Sequence, residues 1–328
     1  MTQFDLPLAE LETYRGIRHE PPGFDAFWAR TLDETRRHPL VVDWRSIDSG
    51  LALLETYDVT FPGFGGEPIR GWLLLPRGGR GPLPVVVRYV GYGGGRGHPF
   101  DHVVWPAAGY AHFVMDTRGQ GSAWSLGATP DPTDRAAAGP HYPGFVTRGI
   151  LDPEQYYYRR LYADAVRAIE AARSHPAVDP ERVVVLGGSQ GGGMALAAAA
   201  LVPDVAAALI DVPFLSDVRR AIAITDELPY AELARYLAVH RVEVATALAT
   251  VDHVDGLNLA PRAAAPALFS VGLMDQITPP STVFAAYNEY GGPKEIRVLP
   301  YSGHDAGDQD HVADQLAFLA RLGIVPEA

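Results

Sequence analysis

Residues 187–191 read Gly-Gly-Ser-Gln-Gly, a spacing in which Ser189 could act as a nucleophile. The apolar run at 183–186 predicts a strand before it, and the small residues at 190–201 predict a helix after it. A serine in a sharp strand-to-helix turn needs small neighbours, and its Oγ then stands exposed at a helix N-terminus. This context favours a nucleophile for acyl transfer over the alternative, a glycine-rich helix start with an incidental serine.

A serine hydroxyl is a weak nucleophile at neutral pH and needs a positioned base. Where the nucleophile occupies such a turn, its partners follow in the order Ser, Asp or Glu, His. Three histidines towards the C-terminus are candidates for the base: His253, His304 and His311. His304 follows the last predicted strand, at the edge where open α/β sheets meet their ligands. His253 lies in an insertion and His311 begins the last helix, so His304 is the predicted base.

Two aspartates could orient that histidine. Asp275 follows the strand predicted at 267–271, and Asp211 follows the strand predicted at 206–210. Asp275 is favoured because it stands after the penultimate strand, and Asp211 remains the rival. The predicted role is to hold the imidazole tautomer and to stabilise the imidazolium without becoming protonated.

Two backbone N–H groups are expected to bind the oxyanion of the intermediate. One belongs to Gln190, directly after the nucleophile, and the other to Tyr92, in the glycine-rich loop 89–95 after an early strand. Losing one such donor lowers turnover by about 10²- to 10³-fold.

The same loop does not match other glycine-rich ligand sites. Counted from Gly91, the sixth position is Arg96, so the dinucleotide-binding spacing is not met. His98 and His102 are four residues apart, but the glycines and the proline around them disfavour the helix that metal binding would need. The sequence therefore predicts neither a metal nor a cofactor.

Composition limits the classes of function. The chain has 328 residues, 47% of them hydrophobic, and a formal charge of −12, which disfavours nucleic acid as a partner. It has no cysteine, which excludes disulfides and a catalytic thiol. The N-terminus lacks a basic and apolar leader, and the longest apolar run, 194–202, is too short to cross a bilayer. We therefore expect a cytoplasmic protein without a membrane partner.

The remaining pattern indicates the elements that position these residues. A hairpin is predicted from 53–61 and 69–75, and helices at 154–174, 190–201 and 311–322 alternate with strands at 84–90, 111–115, 182–186, 206–210, 267–271 and 295–299. The expected fold is the α/β-hydrolase fold, with a mainly parallel central sheet covered by helices on both faces.

We expect one domain over residues 1–328. Residues 1–50 read as a helical extension that packs on it, with a helix at 23–38. A long loop is expected at 117–153. The stretch 213–265 is a helical insertion before the acid-bearing strand, with a helix at 230–240, and it is either part of a cap over the site or a structural excursion.

Three motifs occur together in the chain: Arg118-Gly119-Gln120, the Gly-Gly-Ser-Gln-Gly-Gly run at 187–192 and the His304 loop. The set resembles the acetyl xylan esterases and cephalosporin C deacetylases of carbohydrate esterase family seven. Residues 113–121, 142–145 and 266–275 also resemble family sequence, and the resemblance extends over nearly the whole chain.

The resemblance implies hydrolysis of acetyl groups from small substrates such as xylo-oligosaccharides, sugar acetates and cephalosporin C. It implies a catalytic triad and two oxyanion donors at the positions derived above, namely Ser189, Asp275 and His304 with Tyr92 and Gln190. Arg118 and Gln120 would support the site. It also implies an intracellular homo-hexamer, a trimer of dimers whose active sites face an internal chamber.

One residue departs from the family pattern, because Asp305 follows His304 where the family usually has glutamate. The shorter carboxylate puts the anchoring of that loop and the subunit contacts in doubt more than the chemistry. Two rival functions remain: a broader short-chain carboxylesterase or peptidase-like hydrolase on the same fold, and a catalytically inactive binding module.

Overall fold

The apolar runs of the sequence form one mixed sheet of nine strands. A computed structural model describes residues 2–79, 81–131 and 143–327. The strand order across the sheet is β1-β2-β3-β5-β4-β6-β7-β8-β9. The strands are β1 Asp43–Ile47, β2 Leu54–Pro62, β3 Pro68–Pro76, β4 Leu83–Tyr89, β5 Ala111–Met115, β6 Val178–Gly188, β7 Ala207–Asp211, β8 Ala267–Gly272 and β9 Lys294–Leu299.

The sheet is antiparallel at one side and parallel through its centre. β1, β2, β3 and β5 pair antiparallel in that order, and the five pairings from β5 through β4 to β9 are parallel. Every residue of β5, β7 and β8 is buried, as parallel strands covered on both faces require. Because parallel strands end at the same edge, the segments that follow β4, β6, β8 and β9 meet there.

Eleven helices surround the sheet in the described residues. They are α1 Leu8–Leu11, α2 Phe24–Arg36, α3 Val104–Ala107, α4 Tyr157–Arg173, α5 Gln190–Leu201, α6 Val218–Ile224, α7 Tyr230–Val239, α8 Val244–Val251, α9 Gly256–Leu259, α10 Pro280–Glu289 and α11 Asp308–Arg321. None of these helices is long and apolar enough to cross a membrane.

Alternating residues of β4 face the two layers of helices. Val85 and Val87 belong to the large core cluster that includes α4 and α5. Val86 belongs to a second cluster with Trp105 of α3 and Phe318 of α11. This alternation places helices on both faces of the sheet, as the sequence predicts, and it directs the next even-numbered residue, Arg88, towards α3 and α11.

One predicted element is wrong. The expectation that residues 1–50 are helical holds for α2 but fails for β1, which pairs with β2 as the edge strand of the sheet. All five residues of β1 are partly or fully exposed, so the segment lacks the apolar alternation that identifies a strand. Pairing with β2 determines its conformation.

The two long excursions differ in structure. The insertion 213–265 contains α6 to α9, together with the 3₁₀ turns Arg241–Glu243 and Ala260–Arg262. In the range 117–153, residues 117–131 and 143–153 contain neither a helix nor a strand. Residues 132–142, which include the first residue of the 142–145 resemblance, lie outside the described residues.

Candidate active site

Ser189 occupies a strained turn between β6 and α5. Its φ and ψ are 59° and −121°, a conformation that costs about 1–3 kcal/mol for a residue other than glycine. A Cβ at Gly187 would lie 2.2 Å from the carbonyl carbon of Gly191, and a Cβ at Gly191 would lie 2.3 Å from the carbonyl oxygen of Tyr89. Glycines at both positions therefore let the backbone turn sharply enough to present the serine.

Asp275 and His304 form a hydrogen-bonded pair at the carboxyl edge of the sheet. His304 Nδ1 donates to Asp275 Oδ2 over 2.8 Å. The buried carboxylate also accepts hydrogen bonds from the Ile277 N–H at 2.8 Å, the Thr278 N–H at 3.0 Å and the Thr278 hydroxyl at 2.8 Å. Four donors fix the carboxylate, and its bond to Nδ1 leaves His304 Nε2 as the ring nitrogen that can accept a proton.

Ser189 and His304 line one cavity of about 850 Å³. Tyr92 and Trp124 lie on its wall beside the serine, and Asp305 contributes to its rim. Ser189 and His304, the predicted nucleophile and the predicted base, therefore line the same cavity, and the buried Asp275 is hydrogen-bonded to His304.

The rival candidates for acid and base pair with each other. Asp211 Oδ1 accepts hydrogen bonds from His311 Nε2 at 2.8 Å and from the Ser270 hydroxyl at 2.9 Å, and Oδ2 accepts one from Gln315 at 2.8 Å. Burial lowers the pKa of His311, but the hydrogen bond and the charge of Asp211 outweigh it, so that the pKa is raised. His253 lies elsewhere, with Nδ1 2.9 Å from the Ala249 carbonyl oxygen.

The glycine-rich loop after β4 is held from two sides. The Tyr92 carbonyl accepts a hydrogen bond of 2.8 Å from the Trp124 indole N–H. The Tyr92 hydroxyl donates to Glu232 Oε1 of α7 over 2.6 Å. Burial, followed by the charge of Glu232, raises the pKa of Tyr92, and burial raises the pKa of Glu232. A residue of the insertion therefore fixes the side chain next to the predicted oxyanion donor.

Gln120 connects the two segments that carry the predicted oxyanion donors. Its Oε1 accepts the N–H of Gly93 at 2.7 Å, and its Nε2 donates to Gln190 Oε1 at 2.9 Å. Nε2 also lies 3.0 Å from the hydroxyl of Tyr157. The amide of Gln120 thus joins the loop after β4 to the start of α5, and it is fully buried.

Arg118 anchors the same segment away from Ser189. It is fully buried, and its Nε and Nη2 donate to the two oxygens of Asp164 at 2.5 and 2.8 Å. Nη1 bonds Glu67 in the turn between β2 and β3. Burial disfavours the charged guanidinium, but the carboxylates of Asp164 and Glu67 have a larger opposite effect and raise the pKa of Arg118. These contacts tie the segment after β5 to α4.

Sequence reasoning missed two contributors to this geometry. Glu232 lies in a helix that the sequence predicts, but no motif links that helix to the loop of Tyr92. Thr278, three residues after Asp275, donates to its carboxylate from both N–H and hydroxyl, and an Asp-x-x-Thr spacing is too common to signal this role. In the described part of the chain, no group of three or more His, Asp or Glu residues could hold a metal ion.

The fold and the site together define a class of protein. A sheet that is parallel through its centre presents a serine on a strained turn after β6, and an aspartate and a histidine follow later strands at the same edge. This arrangement is that of the α/β-hydrolases.

The chain belongs to the acetyl xylan esterase family, whose model, acetyl xylan esterase (AXE1), matches residues 1–322. The acetyl xylan esterase from Paenibacillus sp. R4 is 36% identical, with a TM-score of 0.87 over 96% of this chain and 99% of that one. Acetyl xylan esterase 1 from Thermoanaerobacterium sp. JW/SL YS485 is 33% identical, with a TM-score of 0.85 over 98% and 99%.

A relative with a longer chain matches as well. The acetyl esterase Axe7A from Xylanibacter ruminicola is 29% identical over 300 residues, which are 89% of this chain. The chain spans 65% of the length of that relative. These likenesses confirm the family that the sequence motifs indicate, which is a family of carboxylic ester hydrolases.

Proposed function

We propose that this protein is a serine esterase that removes acetyl groups from small acetylated substrates through an acetyl-enzyme intermediate. The observation that carries the proposal is the 2.8 Å bond from His304 to the buried Asp275, in the cavity that the strained Ser189 also lines. In this reading Ser189 is the nucleophile, His304 the general base and acid, and Asp275 the residue that holds the imidazole.

In the first half of the reaction the ester is cleaved. Ser189 Oγ forms a bond to the acetyl carbon while its proton passes to His304 Nε2, and the carbonyl oxygen becomes an oxyanion. His304 Nε2 then gives the proton to the ester oxygen as the bond from carbon to that oxygen breaks. The alcohol leaves, and the acetyl group stays on Ser189.

In the second half water replaces the alcohol. His304 Nε2 takes a proton from water as its oxygen attacks the acetyl carbon, and the same nitrogen returns the proton to Ser189 Oγ as acetate is released. The N–H groups of Tyr92 and Gln190 would stabilise the oxyanion in both halves. Gln120 acts as a positioning residue for these two donors, and Arg118 supports the loop that carries Gln120.

The preference for acetyl esters is supported by the family and by the relatives. Two similar solved structures are acetyl xylan esterases, and the longer relative is an acetyl esterase. The cavity of about 850 Å³ has the size of a pocket for a small ligand. The proposed substrates are acetylated xylo-oligosaccharides and sugar acetates, to which the resemblance of the sequence motifs adds cephalosporin C.

The family resemblance carries two further proposals. One is assembly into a homo-hexamer, a trimer of dimers, and the other is a cytoplasmic location. Static light scattering at micromolar concentration should give the mass of six chains, and a monomer would contradict the assembly.

A substrate panel tests the activity. We expect p-nitrophenyl acetate to be cleaved with a higher kcat/KM than p-nitrophenyl octanoate or a peptide p-nitroanilide, and we expect acetate release from acetylated xylo-oligosaccharides, glucose pentaacetate and cephalosporin C. Faster cleavage of the octanoate or the anilide would favour the broader carboxylesterase or the peptidase instead. Ser189→Ala should abolish all of these activities and leave the folded state intact, and undiminished turnover would refute the assignment of the nucleophile.

A further inference from the structure

Arg88, near the carboxyl end of β4, is a cation that lines the cavity of the candidate site. Its guanidinium makes no hydrogen bond or ion pair with any of the residues that the structure describes, although the cavity it lines is also lined by Ser189 and His304. The register of the sheet places it beside Leu186, three residues before the nucleophile. Burial lowers the pKa of Arg88, yet a guanidinium stays charged in proteins.

The buried acid nearest in the cavity is already engaged. Both oxygens of Asp211 accept hydrogen bonds, one of them from His311, whose pKa is raised by this contact. The charges of Asp211 and Asp101 favour the charged guanidinium of Arg88, but neither carboxylate forms a hydrogen bond or ion pair with it. The acids of the rim are exposed, where water and salt screen them, and they are Asp101, Asp305 and Asp308.

Two histidines on the same wall are neutral. Burial, aided by the charge of Arg88, lowers the pKa of His102 to about 4 and that of His112 well below its usual range. Each uses one ring nitrogen on a backbone carbonyl, and its other ring nitrogen has no hydrogen-bond partner among the described residues. The interior of the cavity thus holds one guanidinium, that of Arg88, whose N–H groups make no hydrogen bond with a described residue.

We propose that Arg88 binds a carboxylate on the alcohol side of the substrate, and that the enzyme prefers acetyl esters that carry this acid. An O-acetylated uronic acid has the required chemistry, since its ester would reach Ser189 while its carboxylate faces the guanidinium. The planar fork of arginine binds a carboxylate through two parallel hydrogen bonds, which a neutral hydroxymethyl group cannot replace. This inference rests on the proposed function and adds a subsite to it.

Two matched esters test the subsite. The probes are a mono-O-acetyl methyl glucuronoside and the mono-O-acetyl methyl glucoside acetylated at the same position, which differ only in carboxylate against hydroxymethyl. We expect kcat/KM to be about 10- to 100-fold higher for the acid, the range of a charge-assisted hydrogen bond. Arg88→Gln should bring that ratio close to one, and Arg88→Lys should restore part of it.

A surface arginine provides the control. Arg321 on α11 is half exposed, pairs with Glu295 at 2.7 Å and does not line the cavity, so Arg321→Gln makes the same change in charge and should keep the wild-type ratio. Thermal unfolding supplies a second readout. Because Arg88 forms no hydrogen bond or ion pair with a described residue and its burial disfavours the charge, Arg88→Gln should unfold at or above the wild-type temperature, whereas a structural ion pair would give a clear loss.

The outcomes separate the two proposals. Equal kcat/KM for both esters in the wild type, or a preference for the neutral ester, would overturn the subsite while leaving the esterase activity in place. A ratio that survives in Arg88→Gln would also overturn it. If the wild type hydrolyses neither ester nor p-nitrophenyl acetate, the proposed function is wrong and the subsite falls with it.

Discussion

Gln120 provides the sharpest test of how the oxyanion donors are positioned, through the variant Gln120→Leu. The side-chain amide makes three well-formed hydrogen bonds, at 2.7 Å from the N–H of Gly93, 2.9 Å to Gln190 and 3.0 Å to Tyr157. At about 0.5–1.5 kcal/mol each, their loss amounts to about 1.5–4.5 kcal/mol. Leucine keeps the volume, so the change removes polar contacts rather than packing.

Losing these hydrogen bonds should lower activity as well as stability. Without Gln120 the buried N–H of Gly93 has no acceptor, which costs about 1–3 kcal/mol unless the loop moves to find one. Any such movement carries the adjacent N–H of Tyr92 with it. Misplacing one oxyanion donor lowers kcat by up to about 10²- to 10³-fold, so we expect kcat to fall by about 10²-fold while KM stays within about threefold.

The assay is steady-state hydrolysis of p-nitrophenyl acetate together with thermal unfolding. Gln155→Leu is the control, because Gln155 is exposed and its side chain makes no hydrogen bond with a described residue. Gln120→Glu keeps an acceptor for the N–H of Gly93 and should give an intermediate kcat. A folded Gln120→Leu variant with the kcat of the wild type would refute the reasoning, and so would a rise in KM at constant kcat.

Four further variants probe other contacts of the candidate site and its surroundings. Asp275→Asn should lower kcat by about 10⁴-fold, and Asp211→Asn by less than tenfold, as measured with p-nitrophenyl acetate; the reverse order would exchange their roles. Arg118→Met leaves the carboxylate of Asp164 buried without its bidentate partner, so we expect a loss of about 3–5 kcal/mol in the free energy of unfolding by urea. Burial lowers the pKa of His311, but Asp211 raises it by more, so the pKa in the folded protein lies above its ordinary value. Protonated His311 therefore stabilises the fold below about pH 6.5, and that contribution is lost as the pH rises through the raised pKa. The difference in unfolding free energy between the wild type and His311→Gln should therefore shrink as the pH rises above about 6.5, and a constant difference would contradict the pairing.

The strands β4 to β8 were predictable because each contains an apolar run bounded by turn residues. The predicted strand at 267–271 and the predicted helix at 190–201 agree with β8 and α5 to within a residue. β1 was not predictable, because its side chains are polar and its conformation depends on pairing with β2. Long-range pairing of this kind leaves no local signal in a short polar segment.

The candidate site also contains residues that the sequence predicts and contacts that it does not. The positions of Ser189, Asp275 and His304 follow from motifs at strand ends, and the geometry of their neighbours does not. The contact of Glu232 with Tyr92 spans 140 residues along the chain and exists because α7 folds back over the loop after β4. The sequence does not indicate a binding role for Arg88 either. Whether an arginine in an apolar strand forms an ion pair becomes clear only when the residues around it are known.

Asp211 and Asp275 both lie at the carboxyl edge of the sheet, and their surroundings show why one is the better candidate for the acid. Both follow parallel strands, and each accepts a hydrogen bond of 2.8 Å from a histidine. The partner of Asp211, His311, is buried on α11, and its Nε2 is occupied by the carboxylate. The partner of Asp275, His304, stands on a loop and uses Nδ1, so its Nε2 remains available for the proposed reaction. A base must also present its second ring nitrogen to the substrate. The Nδ1 of His311 is buried, whereas the side chain of His304 is partly exposed, so the element that carries each histidine favours the pair of Asp275 as the partner proposed for Ser189.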